Sequence, residues 1–546
     1  MDLLLAFIIA MIVTMTLIPP LIRVAGSLHV LDEPGERKQH VRAIPCVGGL
    51  AMAVGAFLPL LLWLPMDRLL AAYLGASLIL IAFGVWDDRV ALSPGVKFAG
   101  QLIAALIIVF VGNVTISSVT LTDRIALPSF VATPLTVLFL LGVTNAINLS
   151  DGLDGLAGGT TMLACCALAA LGLALNVSFV ATVALVVVGS ILGFLRFNTY
   201  PARVFMGDGG SQFLGFTAGV LAIVLTQYDG APLSAALPIL LLGLPILDTL
   251  TVMLMRIRRG QSPFRADRTH IHHKLLALGF DHHEAVVLIY FAQACLFLAA
   301  WFLRFESDLI ILAFFVLFAA AVMIVLVAAE RRGWHWRPRE SKAPDLSALA
   351  RLRKWLGADE RMPRWAIWLG ASCAVTYATC VVLYAQPIPP DVRWLALGLG
   401  LVLALASLVP DGRVRSEWVA QAALYVSIVM AVYLDHRSTL DVAAFHAVKW
   451  IVFPGLVAAV VVMMRLSRKR RFQVTTLDAL LIILALTVPN LPGLPNASGS
   501  LGIGIAKLVA LFYGVEMIAS HSQRARRSIW VAAVVFCAAL FVQSVR

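Results

Sequence analysis

The sequence carries little charge for its length. Asp, Glu, Lys and Arg make up 13% of the 546 residues, about half of the roughly 25% found in soluble domains. Hydrophobic residues make up 61%, so too few polar side chains are present to cover a water-soluble surface. Many uncharged runs also reach the roughly 18 residues that a membrane-spanning helix needs. We therefore expect an all-α polytopic membrane protein.

Cysteine is also scarce. The seven cysteines lie mostly in apolar runs, and no two are spaced as CxxC, which argues against a disulfide framework or a cysteine-based zinc site. The HExxH spacing of zinc proteases is missing as well. Neither "HIHH" at 270–273 nor "DHHE" at 281–284 supplies it.

The formal net charge of +12 does not predict a nucleic-acid partner, because no aromatic and basic module accompanies it. The cationic residues instead fall in loops on one side of the predicted spans, which is typical of cytoplasmic loops. The first apolar run, 3–22, follows Asp2 rather than a basic segment and has no small-residue cleavage site. We expect this run to remain as the first helix, with the N-terminus facing outward.

The apolar runs predict two membrane units. About eleven spans fall within 1–329, a cytoplasmic basic linker occupies 330–365, and about seven further spans fall within 366–546. The linker contains a basic amphipathic stretch near 345–356, typical of a helix on an anionic membrane surface. The run at 477–489 is short and is also compatible with a re-entrant segment.

The C-terminal unit offers no comparable cluster of reactive residues. Asp435, His436 and Asp441 fall between two apolar runs and predict a solvated outer loop. Lipid binding, coupling to a flippase or glycosyltransferase, and stabilisation of an oligomer all stay open for this unit.

The acidic residues of the first unit gather at the cytoplasmic ends of its spans. In "GVWDDRVALSPGVKF", Asp87 and Asp88 end one helix and Lys97 opens the next. Two adjacent carboxylates repel each other unless a cation or a proton lies between them. An ordinary charged helix end is the alternative if this cluster is taken alone.

Two glycine-rich segments carry further polar residues. In "NAINLSDGLDGLAGG", Asn148, Asp151 and Asp154 are three residues apart and would share one helix face. In "NTYPARVFMGDGGSQFLGF", Asp208 precedes a helix whose N-terminus would suit phosphate. Asp208 would also suit Mg²⁺, which prefers one or two carboxylates together with phosphate oxygens.

A long loop, "RIRRGQSPFRADRTHIHHKLLALGF", combines five arginines before Thr269 with His270, His272 and His273. A basic loop that faces carboxylates across the same membrane surface indicates a polyanionic substrate bridged by a cation. A nucleotide diphosphate fits that description, and a cationic neighbour makes the histidines poor zinc ligands.

Taken together, the clusters resemble the polyprenyl-phosphate N-acetylhexosamine-1-phosphate transferase family, a glycosyltransferase family 4 type, over about residues 1–330. The "HIHH" form after "SPF" resembles the N-acetylglucosamine branch. The matching segments are "RKQHVRAIPCVGG" (37–49), "DDRVALSPGVKF" (87–98), "NAINLSDGLDGLAGG" (145–159), "NTYPARVFMGDGGSQFLG" (198–215) and "SPFRADRTHIHHKL" (262–275).

The resemblance implies transfer of a sugar-1-phosphate from a UDP-sugar to undecaprenyl phosphate, with release of UMP. It implies a Mg²⁺ cofactor, for which Mn²⁺ could substitute, and an active site on the cytoplasmic face of the bacterial inner membrane. The product would start a cell-surface polysaccharide such as the O-antigen of lipopolysaccharide. A homodimer is a further expectation. Among the donors, N-acetylglucosamine is favoured over N-acetylgalactosamine and dideoxy-N-acetyl sugars.

The same resemblance assigns roles to individual residues. Asp87 and Asp88 would act on the lipid-phosphate side, as base or as organiser of the acceptor. Lys97 and Arg268 would neutralise phosphate charge, and the three histidines would hydrogen-bond the diphosphate or sugar. Asn198 and Phe205 would contact uracil. The residues expected to be catalytic are Asp87, Asp88, Asp151, Asp154 and Asp208. Those expected to organise the metal are Asp208, Asn148 and Asp151.

A transporter is the main alternative reading of a polytopic chain with intramembrane charges. It predicts acidic residues near the middle of spans, whereas Asp87, Asp151 and Asp208 fall at predicted span ends. The sequence therefore favours an enzyme.

Overall fold

The computed structural model is built almost entirely from helices, as the composition predicts. Its only strands in the described part of the chain are two short antiparallel pairs, Leu31–Asp32 with Ile44–Pro45 and Ser118–Thr120 with Arg124–Ala126. The structure describes residues 3–33, 43–121, 123–228, 230–262, 269–336, 364–384, 388–408, 414–438, 443–466, 475–488, 491–492, 497–521 and 523–545.

The chain divides into two compact units. The first comprises Met1–Glu340 and Thr475–Pro495, and the second comprises Ser341–Val474 and Asn496–Arg546. The helices of the first unit are α1 (Leu3–Leu28), α2 (Gly48–Trp63), α3 (Arg68–Val90), α4 (Pro94–Phe110), α5 (Ser129–Ser150), α6 (Leu156–Ala174), α7 (Ser178–Asn198), α8 (Gly207–Gln227), α9 (Leu237–Leu241), α10 (Gly243–Arg258), α11 (Ile271–Ala277), α12 (His282–Phe302), α13 (Asp308–Arg331) and, from the later segment, α18 (Thr476–Thr487).

Ten helices in the described residues are long and apolar enough to cross a membrane, eight of them in the first unit. The fold is therefore a multi-pass membrane fold. Helices α2 and α4 are shorter apolar helices that occupy two of the other predicted runs. The sequence predicted about eleven spans in this unit because these shorter apolar runs were included with the long ones.

The run predicted as one span at 234–256 is broken into α9 and α10. Gly243 and Pro245 lie in the first turn of α10. Backbone N–H groups in a first turn have no helical partner, so the missing N–H of proline costs no hydrogen bond there. Gln293 of α12 satisfies the backbone at the break: its Nε2 donates to Leu241 O at 2.8 Å, and its Oε1 accepts from Leu244 N at 3.2 Å. A buried glutamine on another helix thus makes the break tolerable inside a membrane.

The interior of the first unit is formed by α6, α7 and α8. In α8, 94% of the apolar segment is buried inside the protein, compared with 17% in α13. Buried helices can approach closely only where side chains are small. Gly84 of α3 faces Gly209 of α8, and Gly49 of α2 faces Gly210, each so closely that a Cβ on the first glycine would overlap the backbone of the second.

This close approach gives a stability prediction. Gly84→Ala should destabilise the protein by about 1–3 kcal/mol, because an added methyl group in a packed interior forces the backbone to shift. Thermal unfolding of the purified protein in detergent measures the effect. The matched control is Gly75→Ala on the same helix, where no atom lies within 4 Å of the added Cβ. Equal melting temperatures for the two variants would contradict the packing.

Helix α18 packs in the first unit, against α12 and α6. The sequence placed it in the C-terminal unit 366–546, and that boundary is wrong for this segment. Leu480 and Leu484 are buried, and Trp301 of α12 donates its indole N–H to Pro492 O at 3.1 Å. An apolar run shows that a helix needs a partner but not which partner it finds, so local sequence could not reveal this docking.

The second unit is a separate helical bundle. Its helices are α14 (Arg364–Tyr384), α15 (Pro390–Leu408), α16 (Val414–Arg437), α17 (Ala443–Leu466), α19 (Ala497–His521) and α20 (Gln523–Val545). Asp435, predicted to lie in a solvated loop, is instead a buried residue of α16. His436 is exposed. Asp441 and the predicted amphipathic helix at 345–356 lie outside the described residues.

Candidate active site

The predicted polar clusters meet at one end of the first unit. Asp87 and Asp88 lie in the last turn of α3, Asn148 lies in the last turn of α5, and Asp208 lies in the first turn of α8. Lys97 lies in the first turn of α4. Segments more than 100 residues apart in sequence thus place their polar side chains together.

Lys97 joins two of these carboxylates. Its Nζ contacts Asp87 Oδ2 and also donates to Asp208 Oδ2 at 3.2 Å. The other oxygen of Asp87 accepts the Leu92 N–H at 2.6 Å. The Asp87 side chain is only 5% exposed, whereas that of Asp208 is 31% exposed. Asp87 is therefore fully engaged within the protein, and Asp208 is the carboxylate that a ligand can reach.

Asp208 is held in place by its neighbours. Its backbone N–H donates to Asp88 Oδ1 at 3.1 Å, and Asn148 Nδ2 donates to its Oδ1 at 3.2 Å. Gly207 has φ of +70°, and a Cβ there would overlap the Asp88 carboxylate. Glycine is required at this position for both reasons. The "GDGG" turn thus fixes Asp88 and Asp208 relative to each other.

Asp151 adds a fourth carboxylate to this end of the unit. It follows α5 directly, and its N–H donates to Asn148 O at 3.2 Å. Burial, together with the negative charges of Asp208 and Asp154, raises the pKa of Asp151 to about 7. Crowded carboxylates of this kind are stabilised by a cation, and oxygen ligands suit Mg²⁺. Asp208 and Asp151 are therefore the carboxylates here that could hold a hard divalent cation, and Asn148 is hydrogen-bonded to Asp208.

The loop that carries Asp151 and Asp154 is fastened from several sides. Gly155 N donates to Asn198 Oδ1 at 2.9 Å, and Tyr290 OH donates to Gly155 O at 2.6 Å. Asn198 Nδ2 in turn donates to Val204 O at 2.9 Å. Both polar groups of the buried Asn198 amide are thus bound to backbone. The amide keeps one N–H and one oxygen lone pair beyond these bonds, and the contact between Asn198 and uracil stays a prediction.

Aromatic side chains lie next to this loop. Phe205 is partly exposed, and its backbone is anchored by hydrogen bonds with Pro45 and Gly48. Tyr200 is 54% exposed and stacks on His282 with ring centroids 4.5 Å apart. Stacking of the Phe205 ring on a base stays a prediction. Tyr200 is an exposed aromatic residue that the sequence did not single out.

The histidine motif is arranged differently from its predicted role. His270 and His272 are buried, at 7% and 3% exposure, and only His273 of the three is partly exposed. Burial and the neighbouring His273 lower the pKa of His272 to about 3, so this ring is neutral at pH 7. Its Nε2 lies so close to Gly152 that a Cβ there would clash. His272 packs against Gly152 of the loop that carries Asp151, and His270 packs on His272. Direct contact with substrate stays a prediction for all three histidines.

Asp248 of α10 fixes the motif and was missed by the sequence reading. His270 Nδ1 donates to Asp248 Oδ2 at 2.8 Å, and Ile271 N donates to Asp248 Oδ1 at 2.7 Å. Asp248 itself is only 6% exposed. A lone carboxylate in the apolar run "GLPILDTLTVMLM" was the available signal, because a charged residue inside a membrane span is a functional candidate by default.

Some predicted positions lie outside the described part of the chain. Arg268 is one of them, as are residues 37–42, which begin the first matching segment. The expected neutralisation of phosphate charge by Arg268 stays a prediction.

The chain is similar in sequence to a family of known proteins. The family model described as glycosyl transferase family 4 matches residues 70–226, which include Asp87, Asp151 and Asp208. The chain is 36% identical, over 326 residues, to a probable undecaprenyl-phosphate N-acetylglucosaminyl 1-phosphate transferase of Bacillus subtilis. That match covers 59% of this chain and 90% of the relative.

Two further relatives carry similar descriptions. A decaprenyl-phosphate N-acetylglucosaminephosphotransferase of Mycolicibacterium smegmatis is 33% identical over 55% of this chain and 82% of its own length. An undecaprenyl-phosphate alpha-N-acetylglucosaminyl 1-phosphate transferase of Escherichia coli O157:H7 is 32% identical over 50% of this chain and 76% of its own length. None of these descriptions supports a transporter.

Proposed function

Since the chain belongs to glycosyl transferase family 4, we propose that it transfers N-acetylglucosamine-1-phosphate from UDP-N-acetylglucosamine to undecaprenyl phosphate. The products are undecaprenyl-diphosphate-N-acetylglucosamine and UMP. The observation that carries this proposal is the convergence of Asp88, Lys97 and Asp208 beside a glycine-lined helix N-terminus. Backbone N–H groups at such a helix end favour phosphate, and Lys97 supplies a positive charge for it.

The reaction needs positioning more than a strong base. An oxygen of the lipid phosphate attacks the sugar-linked phosphorus of the donor, and the bond from that phosphorus to the oxygen of UMP breaks. Lipid phosphate is already substantially ionised near pH 7, so Asp87 and Asp88 would serve to organise the acceptor side. Phosphoryl transfer depends largely on such positioning and on charge stabilisation.

Mg²⁺, when bound, supplies positive charge to the diphosphate and to the leaving UMP. Asp208 and Asp151 are the side chains that would hold it. Lys97 keeps Asp208 oriented from one side and Asn148 does so from the other. Mn²⁺ is a substitute with the same oxygen preference.

Phe205 and Tyr200 would border the uracil, and His273 would approach the sugar or diphosphate. Arginines lie at the C-terminal ends of α7 and α10: Arg196, Arg256, Arg258 and, directly after α10, Arg259. This bias in positive charge supports a cytoplasmic site in a bacterial inner membrane. The product would start a cell-surface polysaccharide, with O-antigen of lipopolysaccharide as one such chain. A homodimer stays a prediction.

A donor panel tests the proposal. Purified full-length protein is mixed with undecaprenyl phosphate and Mg²⁺, and UMP release is measured with UDP-N-acetylglucosamine, UDP-N-acetylgalactosamine and UDP-glucose in turn. UMP should appear fastest with UDP-N-acetylglucosamine, should require the lipid, and should stop when EDTA is added and return with Mg²⁺ or Mn²⁺. Absence of UMP with every donor would overturn the transferase assignment. UMP release that continues in EDTA would overturn only the proposed requirement for a divalent cation.

A further inference from the structure

The second unit contains a charge cluster that the proposed transfer reaction does not use. Asp435 of α16 binds Lys449 of α17, with Nζ to Oδ1 at 2.9 Å, and its Oδ2 contacts Lys507 of α19. Tyr377 of α14 donates its hydroxyl to the same Oδ2 at 3.0 Å. Four helices thus converge on one carboxylate, which is only 1% exposed.

Among the described residues, the cluster carries an excess positive charge, because two ammonium groups face one carboxylate. Each lysine side chain keeps 15% of its surface exposed, so both can meet a further ligand. Lys449 lies 4.1 Å from the centroid of the Phe445 ring, which helps to hold the ammonium in place. Charged groups inside a membrane protein are paired or line a binding site. The net positive charge of Lys449, Lys507 and Asp435 together therefore favours an anionic ligand.

An apolar cavity adjoins the cluster. Its volume is about 660 Å³, within the range of roughly 300–1,000 Å³ typical of ligand sites. It lies between α14, α16, α19 and α20 and is lined mostly by aliphatic side chains and by Trp368 and Phe536. Such a lining suits a hydrocarbon chain.

The cavity and the cluster are continuous. Tyr377 lines the cavity and also binds Asp435. Ala431 and Leu511, which line the cavity, lie one helical turn from Asp435 and from Lys507 respectively. The site is therefore amphipathic along its length, with a cationic end and an apolar interior.

We propose that the second unit binds an anionic membrane phospholipid, with its phosphate at Lys449 and Lys507 and an acyl chain in the cavity. A free phosphate ion would leave the apolar cavity unfilled. A lipid with a quaternary ammonium headgroup would bring a second cation to a site that already has one in excess. This inference concerns residues outside the proposed active site and does not depend on which sugar that site transfers.

Native mass spectrometry of the full chain, exchanged into detergent with added phosphatidylglycerol, tests the proposal. The wild-type protein should retain one phosphatidylglycerol in preference to phosphatidylcholine. Lys507→Met should weaken retention roughly fivefold, which is the effect expected for one lysine near a lipid phosphate. This variant leaves Asp435 paired with Lys449, so no buried carboxylate loses its last cation. Ala374→Phe, which fills the cavity, should weaken retention without changing the charge.

Arg527→Met, at an exposed position of α20, is the matched control and should retain the lipid. Phosphatidylglycerol should raise the melting temperature of the protein. Inorganic phosphate alone, at the same concentration, should neither displace the lipid nor raise the melting temperature in the same way. Any of three results would overturn the site. These are equal retention of phosphatidylcholine and phosphatidylglycerol by the wild type, unchanged retention of phosphatidylglycerol by Lys507→Met, and loss of phosphatidylglycerol only in Arg527→Met. Transferase activity measured in parallel keeps this result separate from the proposed reaction, since none of these residues lies in the first unit.

Discussion

Replacing Asp208 with asparagine should lower kcat for UMP release by about 10³-fold, the upper end of the loss seen when one stabilising group is removed from a transition state. Asp208 is the accessible carboxylate at the point where Lys97, Asn148 and the Asp88 side chain meet. Asparagine has the same shape but no charge, so it keeps the packing and loses affinity for a divalent cation.

The measurement is steady-state UMP release over a range of Mg²⁺ concentrations. Added Mg²⁺ should restore part of the activity if the lost affinity is for the metal. Glu330→Gln is the matched control, because Glu330 is an exposed carboxylate at the end of α13. The proposed role of Asp208 fails if its variant keeps more than about a tenth of wild-type kcat, or if both variants lose the same fraction.

Replacing Asp248 with asparagine should lower kcat by about 10- to 100-fold, the range found when a group that orients a site residue is removed. Asparagine still offers an oxygen to the Ile271 N–H, which Asp248 Oδ1 accepts at 2.7 Å. The other end of the asparagine amide then faces His270 Nδ1, which loses its carboxylate partner. The new neighbour is an NH₂ group, or a weaker neutral oxygen if the amide is reversed. The substitution therefore disturbs the imidazole while it keeps the backbone anchor.

Thr249→Val is the control for this change, because Thr249 follows Asp248 on the same helix and its hydroxyl makes no hydrogen bond within the described residues. The melting temperature of Asp248→Asn should stay close to that of the wild type while kcat falls, with KM for the donor changed less. Asp248→Glu should recover part of the rate by restoring a carboxylate. A parallel drop in melting temperature and activity would instead indicate a structural role alone.

The packing of α18 against the first unit determines where the chain can be truncated to test that unit alone. A truncation near Arg332 follows the limit of the family resemblance, but it would also remove the helix that packs on α12 and α6. The relatives align with only 59% of this chain or less. A test of the first unit alone therefore has to retain Thr475–Pro495.

Much of the fold and of the site followed from local sequence. The membrane environment excludes charge from spans, so uncharged runs marked the helices and polar clusters marked their ends. The "DD", "SDGLDG" and "GDGG" segments carry Asp88, Asp151 and Asp208, and each falls at a helix end as expected. Glycines within those segments indicated close approach of backbone, which Gly209 and Gly210 show against Gly84 and Gly49.

The roles of other residues could not be read from local sequence. Asn198 was predicted to contact uracil, and the structure shows that its amide also binds the backbone at Gly155 and Val204. His270 and His272 were predicted to contact the substrate, and the structure shows that both rings are buried, with His272 against Gly152. Whether a polar side chain faces a ligand or another part of the protein depends on what surrounds it in three dimensions.

The sequence by itself determined that the chain spans a membrane, where most helices end, and which residues gather on one face. Only the tertiary structure decided that Asp248 holds His270, that α18 belongs with the first unit, and that Asp435 is a buried ion-pair centre. The physical reason is that lipid imposes the same rule on every span, so local composition is enough to find one. Partners between helices are chosen by packing and hydrogen bonding between distant segments, which no single segment specifies.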